Sequence, residues 1–199
     1  MHANRFTALL DASVLAPQMK CDLILSLADA ELFRARWSER ILEETERAVT
    51  SMLSERGIAD AAERAERKRH AISGWPGFAD CLVENFEVLE AGLPAIPDAD
   101  DRHVVAAALK TKASVIVTDN LRDFPAEVME QLELEAKSAD DFIADTIDLS
   151  PRISVQALAE MRARYEKTRP FSAEEFVNRL ERNGLTQTAA FAVHYVDFL

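Results

Sequence analysis

Val115-Ile-Val-Thr-Asp-Asn-Leu-Arg-Asp-Phe-Pro125 is the stretch that decides the fold class. Its opening residues are β-branched and apolar, the composition of a strand buried on both faces. Asp123-Phe-Pro-Ala126 then starts a helix that runs to Leu132, and Leu134-Glu-Ala136 follows as an edge strand. Upstream, Asp98–Lys112 reads as a helix with Val104, Val105, Ala107 and Ala108 on its apolar face. Further upstream, Phe6-Thr-Ala-Leu-Leu10 is a second short buried strand. Asp11-Ala-Ser-Val14 turns from it into a helix, with Ser13 as N-cap and Pro17 near the first turn. Leu23, Ile24, Leu27 and Ala28 recur at helical spacing. A second helix is expected from Ser38 to Arg56, stopping at Gly57, with Ile41, Leu42, Thr45, Val49, Met52 and Leu53 inward. Residues 59–70 form a charged, alanine-rich helix, and residues 79–91 fit strand and helix alike, with helix favoured. Strands alternating with helices predict an α/β fold around a mainly parallel sheet.

Pro151 marks a change of character, so residues 1–148 read as one domain and 149–199 as a helical extension. Residues 152–167 and 172–183 read as helices divided at Thr168-Arg-Pro170, and Leu185–Leu199 as a short third helix. Ser172 and Glu175 have capping-box spacing, and Gly184 ends the second of these helices.

The net charge of −12 is uneven. The last 49 residues hold seven basic and six acidic side chains, leaving −13 on the first 150. Such a surface does not suit tight, non-specific nucleic-acid binding, which needs a basic footprint. A nuclease remains compatible, because bound metal offsets acidic charge locally, and a basic partner protein fits the surface. Cys21 and Cys81 lack CxxC spacing and read as reduced core thiols. No window carries the ~20 apolar residues of a membrane span. Met1-His-Ala-Asn-Arg5 lacks the apolar core of a secretory signal, so a cytoplasmic location is expected.

Four acidic positions stand where the fold would gather them: Asp11, Glu44, Asp101 and Asp123. Ligand sites of open α/β sheets lie outside the carboxyl ends of the strands. Clustered carboxylates repel unless a proton or cation compensates, and hard divalent cations favour such oxygen donors. Taken singly, each acid has an ordinary reading. Asp11 and Asp123 could cap helices, and Glu44 could lie on a solvated face with Glu43 and Glu46. Asp98, Asp100 and Asp101 crowd one helix start, more acid than the helix dipole alone explains. Together they point to a metal-dependent hydrolase. No Ser-His-Asp or Cys-His set is visible. A phosphatase of the Asp-x-Asp type is disfavoured by Asp11-Ala-Ser13, and a receiver domain by the missing lysine after a late strand.

Four segments in order carry a resemblance: Leu9-Leu-Asp-Ala-Ser-Val14, Ser38-Glu-Arg-Ile-Leu-Glu-Glu44, Pro97-Asp-Ala-Asp-Asp-Arg-His-Val-Val-Ala-Ala-Ala108 and Val115–Pro125. Over residues 6–145 the chain resembles PIN-domain ribonucleases, the fold of VapC-type toxins, and its tail resembles the helical extension of one subgroup. The resemblance implies a three-layer α/β/α fold plus a small helical appendage. It also implies a metal-dependent endoribonuclease using Mg2+ or Mn2+ and leaving a 5′-phosphate and a 3′-hydroxyl. Asp11, Glu44 and Asp101 would take three acidic positions. The fourth departs from the family pattern: Asn120 stands at the first of the usual carboxylates and Asp123 one residue late for the second. The metal ligands would therefore come from Asp11, Glu44, Asp101 and Asp123 or Asn120. Ser13 and Thr118 would orient carboxylates, and Asp98 would act through water. The implied partners are an RNA substrate, a cognate antitoxin docked on helices between 18 and 70, and a second copy of the chain. RNA contacts could come from Arg34, Arg36 and Arg40, or from Arg64, Arg67, Lys68 and Arg69, although a solvated face suits the second group better. His103 reads as a helix-surface residue, and Trp37 and Trp75 as packing residues. The other readings are a non-catalytic PIN-like partner-binding module and a different acidic-cluster phosphohydrolase.

Overall fold

The computed structural model describes residues 6–75, 77, 80–166 and 171–199. The chain opens with β1 (Thr7–Leu10), α1 (Ala12–Leu15), α2 (Gln18–Asp29), β2 (Arg34–Ser38), α3 (Glu39–Glu55) and α4 (Ala61–Ser73). It continues with β3 (Leu82–Val83), α5 (Glu87–Glu90), α6 (Arg102–Lys110), β4 (Val115–Val117), α7 (Ala126–Gln131) and β5 (Glu135–Lys137). The last helices are α8 (Ala139–Leu149), α9 (Pro151–Glu166), α10 (Ala173–Arg182) and α11 (Thr186–Val193). Two compact units result: residues 1–17 with 34–137, and residues 18–33 with 138–199. Pro151, where the sequence changes character, is the first residue of α9 inside the second unit.

The first unit is built on a sheet ordered β3-β2-β1-β4-β5, and every pairing among its described strands is parallel. Leu9, Leu10, Ile116 and Val117 are fully buried, which puts β1 and β4 at the centre. Leu10 is in register with Val117, so both strands end at the same level. Ile41, Leu42, Thr45 and Val49 form the buried stripe of α3, as expected, and Val49 joins Ala16 and Ala65 in a small cluster. The basic face of α4 is neutralised locally. Arg64 pairs with Asp60 at 2.8 Å, Arg67 with Glu63, and Arg69 with Glu39 and with Glu46 at 2.9 Å.

Several elements differ from expectation. Arg34-Ala-Arg-Trp-Ser38 is a strand, hidden by its arginines, with Ala35 and Trp37 buried between them. Within 79–91, where helix was favoured, the described residues form β3 and the short α5. The expected helix at Asp98 starts as a 3-10 turn, Ala99–Asp101, and the one at Asp123 as the turn Leu121–Asp123 before α7. Asp11, not Ser13, is the N-cap of α1. The C-terminal ends of α6 and α7 place Lys112 (φ 52) and Glu133 (φ 56) in the left-handed region. Ala113 N–H reaches Ala108 O at 2.9 Å and Leu134 N–H reaches Met129 O at 3.0 Å, closing both helices in the Schellman manner without glycine.

The second unit is helical. Ser172 caps α10, accepting from Glu175 N–H at 3.3 Å, and Gly184 follows with φ 76. Thr168-Arg-Pro170 lies outside the described residues. Asp140 on α8, 8% exposed, accepts from Gln187 N–H (2.8 Å), Thr188 N–H (3.1 Å) and the Thr188 hydroxyl (2.9 Å). It supplies the cap that Leu185, at the N-cap position of α11, cannot. Tyr165 of α9 donates to Asp22 of α2, and Arg164 reaches Ser26 Oγ at 2.5 Å. Among the described residues, no helix is long and apolar enough to cross a membrane.

Candidate metal centre

The carboxyl ends of β1 and β4 deliver Asp11 and Thr118 side by side. Asp11 N–H continues the ladder to Val117 O at 3.0 Å. Its carboxylate, 6% exposed, is held by three donors: Ala12 N–H (2.7 Å), Ser13 Oγ (2.7 Å) and Thr118 Oγ1 (2.8 Å). The same hydroxyls shape the next loop, because Ser13 Oγ accepts from Asp119 N–H and Thr118 Oγ1 from Asn120 N–H, each at 3.0 Å. Ser13 and Thr118 thus fix both the rotamer of Asp11 and the loop that carries Asp123.

Asp98, Asp101 and Asp123 each offer a carboxylate oxygen within 4.8 Å of the others. Asp98 caps the 3-10 turn through Asp100 N–H at 2.9 Å, and that turn presents Asp101. Asp123 is 8% exposed and accepts from the Asn120 amide. The Asn120 oxygen accepts from Arg122 Nε at 3.1 Å. Asn120 therefore serves here as a tether for Asp123, with both ends of its amide occupied by protein. One oxygen of Asp101, Oδ2, is buried with no hydrogen-bond partner among the described residues. Burial, with the charges of Asp11, Asp98 and Asp123, pushes the Asp101 carboxyl up to about 6, against an opposing pull from His103. An orphaned carboxylate oxygen facing other acids is the arrangement a hard divalent cation relieves, and the all-oxygen donor set fits Mg2+ or Mn2+.

Neither Asp11 nor Glu44, both expected as ligands, is one of the three convergent carboxylates, whereas Asp98 is. For Glu44 the neighbours are basic. Its Oε1 lies 3.1 Å from His103 Nε2, 3.5 Å from Arg40 Nε and 3.7 Å from Arg47 Nη2. Burial raises its pKa, but these cationic and donor neighbours outweigh it and hold the carboxyl below its ordinary value. Arg40 also donates to Asp100 O at 3.2 Å. His103, expected on a helix surface, is fully buried. The signal was its place ahead of Val104–Ala108, a run buried on all sides. Of the tryptophans, Trp37 is core, with 1% exposure.

A family model described as PIN domain matches residues 7–122, and one described as VapC50 C-terminal domain matches residues 139–192. The chain is 47% identical over 49 residues to "Putative ribonuclease VapC50" of Mycobacterium tuberculosis (strain ATCC 25618 / H37Rv). That stretch is 25% of this chain and 29% of the relative's length. No solved structure matches. The PIN model spans more than half of the chain and includes every acid of the centre except Asp123, one residue past its end. A three-layer α/β/α fold with a parallel sheet and extra C-terminal helices is consistent with that architecture. The chain belongs to the PIN-domain family, with a C-terminal domain of the VapC50 type.

Proposed function

We propose that this chain is a metal-dependent endoribonuclease and the toxin of a type II toxin–antitoxin pair. The observation that carries the reading is the convergence of Asp98, Asp101 and Asp123 in a PIN-domain chain. A bound Mg2+ or Mn2+ would supply an activated water and charge stabilisation at the phosphate. Asp101 and Asp123 would hold the ion, with Asp11 beside them and Asp98 directly or through water. Ser13 and Thr118 keep Asp11 in one orientation. Asn120 does the same for Asp123. Glu44 would help position the attacking water. Arg40, exposed and beside the acids through its contact to Asp100 O, is the candidate phosphate contact, though it also pairs with Glu44. Arg34 stands at the opposite, amino end of β2, and Arg64, Arg67 and Arg69 are paired with carboxylates. The excess negative charge of the first 150 residues suits a basic antitoxin, and a homodimer is part of this reading.

A second reading, a partner-binding module without turnover, is favoured by one observation: a neutral amide, Asn120, tethers the last carboxylate. Cleavage of a mixed RNA pool with Mg2+ or Mn2+, and with EDTA, separates the two. We expect metal-dependent cutting that Asp11→Asn and Asp101→Asn abolish while circular dichroism stays unchanged. A folded, metal-loaded, antitoxin-free protein that leaves RNA intact would sink the nuclease and favour the second reading.

A further inference from the structure

We infer that His103 is a positioning residue that sets the Glu44 carboxylate for the reaction. The inference rests on the nuclease reading and assigns His103 a part in it. His103 is the second residue of α6 and has no exposed surface. Among the described residues neither ring nitrogen has an aligned hydrogen bond, yet Nε2 stands 3.1 Å from Glu44 Oε1. A buried imidazole is costly unless its polar atoms are compensated. Here the compensation is the Glu44 carboxylate, on another helix. A proton on Nε2 would face that carboxylate.

The location gives the contact a consequence beyond packing. Glu44 and Arg40 lie one turn apart on α3. Arg40 reaches Asp100 O, and Glu44 reaches His103. The two ties bracket Asp101 in sequence, so α3 holds the segment that presents the orphaned carboxylate from both sides. His103 fixes where the Glu44 oxygen points, and the same contact fixes α3 against the Asp101 turn. Valine or leucine would fill the volume of the imidazole but offer Glu44 nothing.

The test is a set of variants assayed with the full chain, RNA and Mg2+ or Mn2+, each checked by circular dichroism and its unfolding midpoint. His103→Leu is expected to lower kcat by ~10–100-fold, with KM for RNA unchanged. His103→Gln keeps an N–H donor within reach of Glu44 and is expected to recover most of the rate. On a Glu44→Gln background, His103→Leu should add less than ~2-fold, because residues acting as a unit are not additive. If His103→Leu does not fold, His103→Asn replaces it, its amide being too short to reach Glu44. Multiplicative losses in the double variant, or a glutamine variant no better than leucine, would overturn the assignment while leaving the nuclease intact. A wild-type protein that cuts nothing removes both.

Discussion

Asp101 is where the chemistry of single residues is most exposed to experiment. An aspartate in an unfolded chain titrates near ~3.9, and in the fold Asp101 is pushed up to about 6. Below ~4 the group is protonated in both states and costs nothing. As pH rises through the interval to about 6, the folded state gives up a proton it holds more tightly than the unfolded state does. Stability therefore falls across that window, and the full penalty stands above it. Asp101→Asn removes the charge, so in EDTA the variant should be more stable at pH 8 by ~1–3 kcal/mol. The gain should fade by pH 4, as urea unfolding at the two pH values would show; equal gains at both would contradict the assigned environment. Sequence pattern made much of this centre legible. Asp11 follows an apolar strand, and three acids crowd the start of α6. It could not show that Asn120 spends its amide on Asp123 and Arg122, because loop hydrogen bonds leave no periodic trace. His103 was misplaced for a related reason: polarity suggested the surface, and only three-dimensional packing reveals a compensating carboxylate.

At the scale of elements, apolar composition decided what could be read. β1 and β4 announce themselves through Leu9, Leu10 and Val115–Val117, all buried. β2 does not, since Arg34 and Arg36 interrupt it and only Ala35 and Trp37 show the period of two. Helix ends were legible where glycine marked them, at Gly57 and Gly184. The expected ends at Lys112 and Leu132 fall within two residues of those of α6 and α7, but nothing in the sequence announces the left-handed conformation of Lys112 and Glu133. A side chain there carries a steric cost that glycine avoids. Glu133 is exposed, so Glu133→Gly loses no packing. We expect it to stabilise the protein by up to ~1 kcal/mol, after the extra freedom glycine gives the unfolded chain is subtracted. Chemical denaturation with an unchanged m-value would confirm this, and a destabilised variant would show that Glu133 makes a compensating contact.

For the molecule as a whole, a cation that binds only the folded centre must stabilise it by mass action. At a free metal concentration 100 times the dissociation constant, the gain is ~2.7 kcal/mol. Mn2+ should therefore raise the unfolding midpoint of the wild type, EDTA should reverse the shift, and Asp101→Asn should largely lose it. A midpoint indifferent to Mn2+ and Mg2+ would argue against the centre even if RNA cleavage were masked. Long-range organisation was the least legible level. Residues 18–33 and 138–199 build one unit through contacts such as Arg164 to Ser26, 138 positions apart, and no local pattern reports such a distance. That division has a temporal side. A ribosome delivers α2, with Leu23, Ile24 and Leu27 destined for complete burial, well before α8 and α9 exist. At ~5–20 residues per second, the wait lasts on the order of 5–20 s. Throughout it α2 lacks the α8 and α9 partners it has in the folded unit. By the time Lys137 is joined, every acid of the candidate metal centre has already been synthesised. A message broken after that codon would still encode all of those acids, without the helices that finish the second unit.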